Sequence, residues 1–191
     1  MIIYWILKLK IICLVKKYII RVFFLFIIIL FIGGNVNRKI DKSFVISMII
    51  PLVVGLISGI LSMGGMKEFN TLNKPFLSPP GFVFPVVWTI LYLLMGYGSY
   101  LIYESNNYHS NCCLRIYFLN LFVNGLWSPI FFGLNLRLFA VIWIILLDLV
   151  VAYMIWCFYK IDKKAAYLQI PYMVWCLFAT YLTIMFYILN R

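Results

Sequence analysis

Three sets of residues in this 191-residue chain have types and spacings that could do chemistry. Trp88, Tyr92 and Met95 recur at i, i+4 and i+7, which puts them on one face of a helix. Asn120, Asn124 and Trp127 repeat that spacing and align two amides and an indole. Trp175 and Ala179 stand one helical turn apart, a large aromatic wall beside a small residue, which is the shape of a notch that takes a ring. All three sets lie in apolar stretches, where an amide is costly unless paired, so these faces point inward. Asn120 and Asn124 could serve as hydrogen-bond glue between helices or as ligand contacts. Asp148 is the carboxylate deep in an apolar stretch, and it must be protonated, paired or turned to a polar cavity. With no buried cation in the neighbouring stretches, an amide or a hydroxyl is its expected company.

The remaining reactive side chains do not assemble into a conventional active site. The sequence offers no nucleophile–base pair, no metal set and no phosphate loop. The single His109 sits in a polar loop. Five cysteines (Cys13, Cys112, Cys113, Cys157 and Cys176) are an odd number without paired spacing, so they make no disulfide framework. Cys157 and Cys176 fall in apolar stretches and are expected to behave as small hydrophobes. The net charge of +11 resides in short loops and at helix ends, as membrane anchors and topology signals. No aromatic-interleaved basic patch points to nucleic acid.

The elements that position these residues follow from composition. The chain is 66% hydrophobic and only 11% charged, whereas a soluble domain has about a quarter of its residues charged. Its mean hydropathy is +1.06. An integral, multi-pass, all-α membrane protein in contact with lipid is expected. Five spans are predicted at 44–63, 82–103, 114–133, 138–159 and 165–189, each near the length that crosses a bilayer. Helices are required because only helices and closed barrels satisfy the backbone in lipid, and a barrel's alternating pattern is missing. Short connections at 134–137 and 160–164 make neighbours antiparallel in one compact bundle. Pro171 is expected to kink the fifth span.

The connection 64–81 is the exception. Its Lys74-Pro75 and Pro79-Pro80-Gly81 steps cannot continue a helix. The prolines limit its unfolded freedom, so the loop is expected to be ordered and to cover the mouth of the second span. Lys74 is expected to anchor it by donating to a carbonyl, or else to meet an anionic ligand. Gly55 and Gly59 form a GxxxG pair, a close helix contact within the bundle or between the protomers of a homodimer.

Residues 1–43 form a basic, hydrophobic extension before the membrane domain at 44–191. Its apolar stretch 18–32 is short, is broken by Arg21 and follows Lys8, Lys10, Lys16 and Lys17. A sixth span, an interfacial helix, an uncleaved signal anchor and a misplaced start site all fit. Arg38, Lys39, Lys42, Arg115, Lys160, Lys163 and Lys164 fall on one side of a five-helix bundle, against Lys67, Lys74, Arg137 and Arg191 on the other. That bias puts the N-terminal side of the bundle in the cytoplasm and favours an extension that does not span.

Four blocks, at 69–100, 120–132, around Asp148 and at 171–182, give the chain a resemblance to a known family. In this order and spacing they resemble the translocator proteins, or tryptophan-rich sensory proteins, of the TspO/MBR family, over roughly 51–190. The resemblance implies five spans around a cavity that binds tetrapyrroles such as protoporphyrin IX, drug-like isoquinolines and, in animals, cholesterol. It implies that Trp88 and Trp175 line the cavity and that Ala179 touches the ligand. Tyr92, Asn120, Asn124, Trp127 and Asp148 complete the candidate site, with Lys74, Pro75, Pro79 and Pro80 in the loop above. The implied role is a sensor or carrier in the plasma membrane of a bacterium, with no cofactor or metal required. The alternative is light-dependent degradation of the tetrapyrrole, with Trp88 and Trp175 as the reactive indoles. The chain departs from the family at Leu77, where an aromatic is usual, at Phe82, a common Trp, at Glu68-Phe69, usually a Trp-Tyr type pair, and at Thr183, a frequent Asn. The loop is therefore poorer in tryptophan and has no indole to add to photochemistry.

Overall fold

The structure is a computed structural model that describes residues 41–65 and 71–191. The expectations for the N-terminal extension, and the part of the loop at 66–70, lie outside the described residues. Among the described residues every regular element is helical, and five segments are long and apolar enough to cross a membrane. They are Lys42–Gly65, Val83–Glu104, Ser110–Gly133, Arg137–Ile161 and Lys163–Leu189, within a few residues of the predicted spans. The protein is an all-α, multi-pass integral membrane protein built on a five-helix bundle.

Local chemistry sets the ends of these helices. Helix α1 (Lys42–Ser62) starts at Asp41, whose carboxylate accepts the Phe44 N–H at 2.8 Å and so satisfies one unpaired donor of the first turn. It tightens into a 3₁₀ turn at Met63–Gly65. Helix α2 (Val83–Glu104) begins after the proline-rich loop, and α3 (Ser110–Ser128) runs into a π turn, Pro129–Gly133, closed by the Leu134 N–H on the Pro129 carbonyl at 2.9 Å. Asn135, at φ 55°, then turns the chain into α4 (Arg137–Ile161). Asp162 caps the short α5 (Lys163–Tyr167) by accepting the Lys164 and Ala165 N–H groups at 2.7 and 3.0 Å. Helix α6 (Ile170–Leu189) follows after a turn. Within this single membrane-length span the helix is interrupted at Leu168 and Gln169, just before Pro171, whose missing N–H leaves the Tyr167 carbonyl without its donor, so the break expected at this proline separates α5 from α6.

Helix α2 is the most enclosed span, with Leu91, Met95 and Ile102 fully buried. Helix α1 is the least buried and presents Ile46, Ile49, Val53, Leu56 and Ile60 outward, as a lipid-facing helix must. The two meet where glycine removes the side chain. A methyl on Gly96 would lie 2.6 Å from the Ser47 carbonyl oxygen and 3.1 Å from the Met48 Cα. Gly55 lies against the Tyr92 ring, so it serves packing inside the bundle, whereas Gly59 has no neighbour at its Cβ position.

Because the obstacle at Gly96 is backbone, Gly96→Ala must push α1 away from α2. Overpacking of this kind costs about 1–3 kcal/mol. A lowered thermal midpoint in neutral detergent is expected, and an unchanged one would show that the helices are not held at this distance.

Candidate functional site

Tyrosines and asparagines from three helices form a buried chain of hydrogen bonds. The Tyr92 hydroxyl on α2 donates to Asn124 Oδ1 on α3 at 3.1 Å, and Asn124 Nδ2 donates to the Tyr172 hydroxyl on α6 at 2.7 Å. Tyr172 in turn donates to Asn120 Oδ1 at 3.0 Å. All four residues are buried, and Asn120 and Tyr172 are fully enclosed. The predicted amide stripe therefore works as glue between helices. Asn120 Nδ2 has no hydrogen-bond partner among the described residues. Trp88 lies against this chain, stacked on Tyr92 at 5.5 Å and edge-on to Tyr172 at 6.3 Å between ring centroids.

One turn beyond Asn124, the environment becomes largely aromatic. Trp127 stacks on Phe131 at 5.5 Å and 15°, and Phe131 meets Phe132 edge-on at 4.8 Å. These three rings, with Phe84 from α2 and Ala179, Thr183 and Phe186 from α6, line a narrow apolar cavity of about 10 Å³. That volume is about what one water molecule occupies. Trp175 packs edge-on to Phe84 at 6.1 Å and against Phe178 at 5.5 Å. Trp88 and Trp175 meet through Phe84 and Tyr172, their neighbours one turn away, rather than through each other. The Thr183 hydroxyl donates to the Ala179 carbonyl at 2.8 Å. Trp143 donates its indole N–H to the Val123 carbonyl at 2.8 Å, whereas the indole N–H groups of Trp127 and Trp175 are buried without a partner among the described residues.

Asp148 lies on α4, half-buried and away from the lining of this cavity. Its Oδ2 accepts the Thr180 hydroxyl at 2.7 Å, so the company predicted for it is a hydroxyl. Its Oδ1 is buried without a hydrogen-bond partner among the described residues.

The described part of the loop is built from turns at its prolines. Ser78 N–H donates to the Pro75 carbonyl and Val83 N–H to the Pro80 carbonyl, both at 3.0 Å. Pro75 is buried, Pro79 half-buried and Pro80 exposed. The anchor expected of Lys74 is supplied by its neighbour. Asn73 N–H donates to Asn190 Oδ1 at 2.9 Å, and Asn190 Nδ2 donates back to the Asn73 carbonyl at 3.1 Å. Asn190 Nδ2 also reaches the Phe186 carbonyl at 2.9 Å, and the Asn190 carbonyl accepts from Arg137 at 3.2 Å. Lys74 is exposed and makes no hydrogen bond among the described residues, while the backbone N–H and carbonyl at 73 pair with the amide of Asn190.

Sequence reasoning did not single out Tyr172, Phe84, Phe131, Phe132 or Asn190. Tyr172 stands three residues before Trp175, on the same helix face, and that spacing was the available signal. Asn190, at the end of the chain's last helix, carried none.

Two outcomes follow from this geometry. Asn124→Leu removes the link between the two tyrosines and is expected to lower stability by about 1–2 kcal/mol, read as a fall in thermal midpoint. An unchanged midpoint would mean that the chain of bonds adds nothing to the fold. Asn190→Ala frees the loop, so limited proteolysis within 71–81 should speed up several-fold; a wild-type rate would show that the clasp does not hold it.

Comparison with known proteins agrees with this architecture. Residues 47–189 match the model of the TspO/MBR family. The chain is 36% identical over 119 residues to the tryptophan-rich protein TspO of Archaeoglobus fulgidus, covering 62% of this chain and 77% of that one. It is 35% identical over 103 residues to the tryptophan-rich sensory protein of Cereibacter sphaeroides, covering 54% of this chain and 64% of the relative. The translocator protein of Homo sapiens is 35% identical over 119 residues, covering 61% and 70%. With five membrane-length helices, the aromatic-walled cavity and a match over most of its length, the chain belongs to the TspO/MBR family.

Proposed function

We propose that this protein binds a porphyrin-like hydrophobic molecule between α2, α3 and α6, beneath the proline-pinned loop, and acts as a sensor or carrier for it. The observation that carries the reading is the cavity wall: Phe84, Trp127, Phe131 and Phe132 face a small apolar space bounded by Ala179, with Trp175 against Phe84. Aromatic faces and edges are the complement of a flat conjugated ring. Family membership, and relatives whose names refer to translocation and sensing, support the same reading. A tetrapyrrole is far larger than the present space, so binding requires the rings and the loop above them to move apart. The reading places the protein in a bacterial plasma membrane, with a bacterial relative among its matches in support. It includes a homodimer, for which the open Gly59 on the outward side of α1 leaves room.

Tryptophan quenching by protoporphyrin IX tests the proposal with purified protein in detergent. Saturable quenching in the dark is expected. Trp175→Phe should weaken affinity by about 1 kcal/mol, roughly fivefold, by losing one aromatic contact. Unchanged affinity in both Trp88→Phe and Trp175→Phe would sink the site assignment. The same samples under light separate binding from degradation, since only chemistry on the ring produces a new bilin-like absorbance.

A further inference from the structure

The opposite end of α4 carries a feature that the ligand cavity does not use. Lys160, Lys163 and Lys164 stand together where α4 passes into α5. Each ammonium sits over an aromatic ring: Lys160 Nζ is 3.8 Å from the Trp156 ring centroid, Lys163 Nζ 5.6 Å from Tyr159 and Lys164 Nζ 5.7 Å from Tyr97. Such contacts hold a cation in place without neutralising it. The nearest acid in sequence, Asp162, directs its Oδ1 to the backbone N–H groups of Lys164 and Ala165. None of the three lysines makes an ion pair among the described residues. Three positive charges are thus positioned without a direct ion partner among the described residues.

Directly along α4 from Lys160 runs an exposed apolar stripe: Ile142, Ile145, Leu149, Tyr153 and Trp156, at spacings of three or four. Tyr153 and Trp156 stack on each other at 5.5 Å and 24°. From Leu149 to Lys160 the helix rises about 16 Å at 1.5 Å per residue, close to half the roughly 30 Å hydrocarbon core of a bilayer. The stripe therefore offers one acyl chain its length, and the lysines meet what the chain carries at the membrane surface.

We propose that this face is a binding site for an anionic phospholipid, with its phosphate among Lys160, Lys163 and Lys164 and an acyl chain along the α4 stripe. The charge pattern decides against a zwitterionic lipid. Three cations without a direct ion partner gain from a headgroup of net negative charge, and each basic residue contributes about 1 kcal/mol near an anionic surface, roughly fivefold in affinity.

The test uses the purified full chain in neutral detergent, titrated with short-chain phosphatidylglycerol, short-chain phosphatidylcholine or inorganic phosphate, with bound lipid counted by native mass spectrometry. Phosphatidylglycerol is expected to be retained in preference to phosphatidylcholine. Lys160→Gln should weaken it roughly fivefold, and the triple variant Lys160→Gln, Lys163→Gln, Lys164→Gln should abolish the preference. Lys42→Gln with Arg115→Gln, two cations at the same end of the bundle, should leave it intact. Equal retention of the two lipids, or equal loss in the control variant, would overturn the proposal, and so would competition by inorganic phosphate as strong as by phosphatidylglycerol. Acetylation of the wild-type lysines gives the decision without substitutions. Phosphatidylglycerol, and not phosphatidylcholine, should slow modification of these three several-fold relative to Lys42, and unchanged rates would refute the site.

Discussion

Satisfying polar groups inside lipid is the constraint on which this structure turns, and the hydrogen-bond chain Tyr92–Asn124–Tyr172–Asn120 meets it for three helices at once. In hydrocarbon an amide or hydroxyl has no water to turn to, so a partner on a neighbouring helix is strongly favoured. The partners here lie on α2, α3 and α6, and their pairing fixes the rotation of each helix about its own axis. That rotation in turn decides what the next turns present. Trp88 lies on the tyrosines, Trp127 and Ala179 face the cavity, and Trp175 meets Phe84. The aromatic site is in this sense a consequence of the polar one.

Much of this was legible in the sequence, for identifiable reasons. Span lengths and breakers placed the five helices because hydrophobicity over some twenty residues has few other meanings. The i, i+4, i+7 spacing placed Asn120, Asn124 and Trp127 on one face, but periodicity cannot say which helix lies opposite. That is why glue and ligand contact stayed equal until Tyr92 and Tyr172 appeared as partners. A proline in an apolar run marks a break in the helix, and Pro171 stands just after the turn at Leu168 and Gln169 that divides α5 from α6. Lys74 was given the anchoring role because charge is conspicuous in a loop, whereas the real tie is a neutral amide on residue 190, more than a hundred residues away in sequence.

The two ends of the bundle differ in chemistry. At one, the loop is held by a single asparagine that pairs with backbone and adds no charge. At the other, three lysines stand on aromatic rings, Lys160 and Lys163 exposed and Lys164 half-buried.

The π turn at Pro129–Gly133 has a consequence for how the cavity wall can move. A π turn holds one more residue than an α-helical turn, and returning it to α-helical pairing advances the following residues by one position, about 100° around the axis. Phe131 and Phe132 sit inside that turn. Behind them, the Phe132 carbonyl presses on Gly65, where any side chain would collide with backbone. The wall is therefore backed by main chain on both sides of its contact with α1, and Gly65 is the position whose substitution would displace Phe131 and Phe132 together.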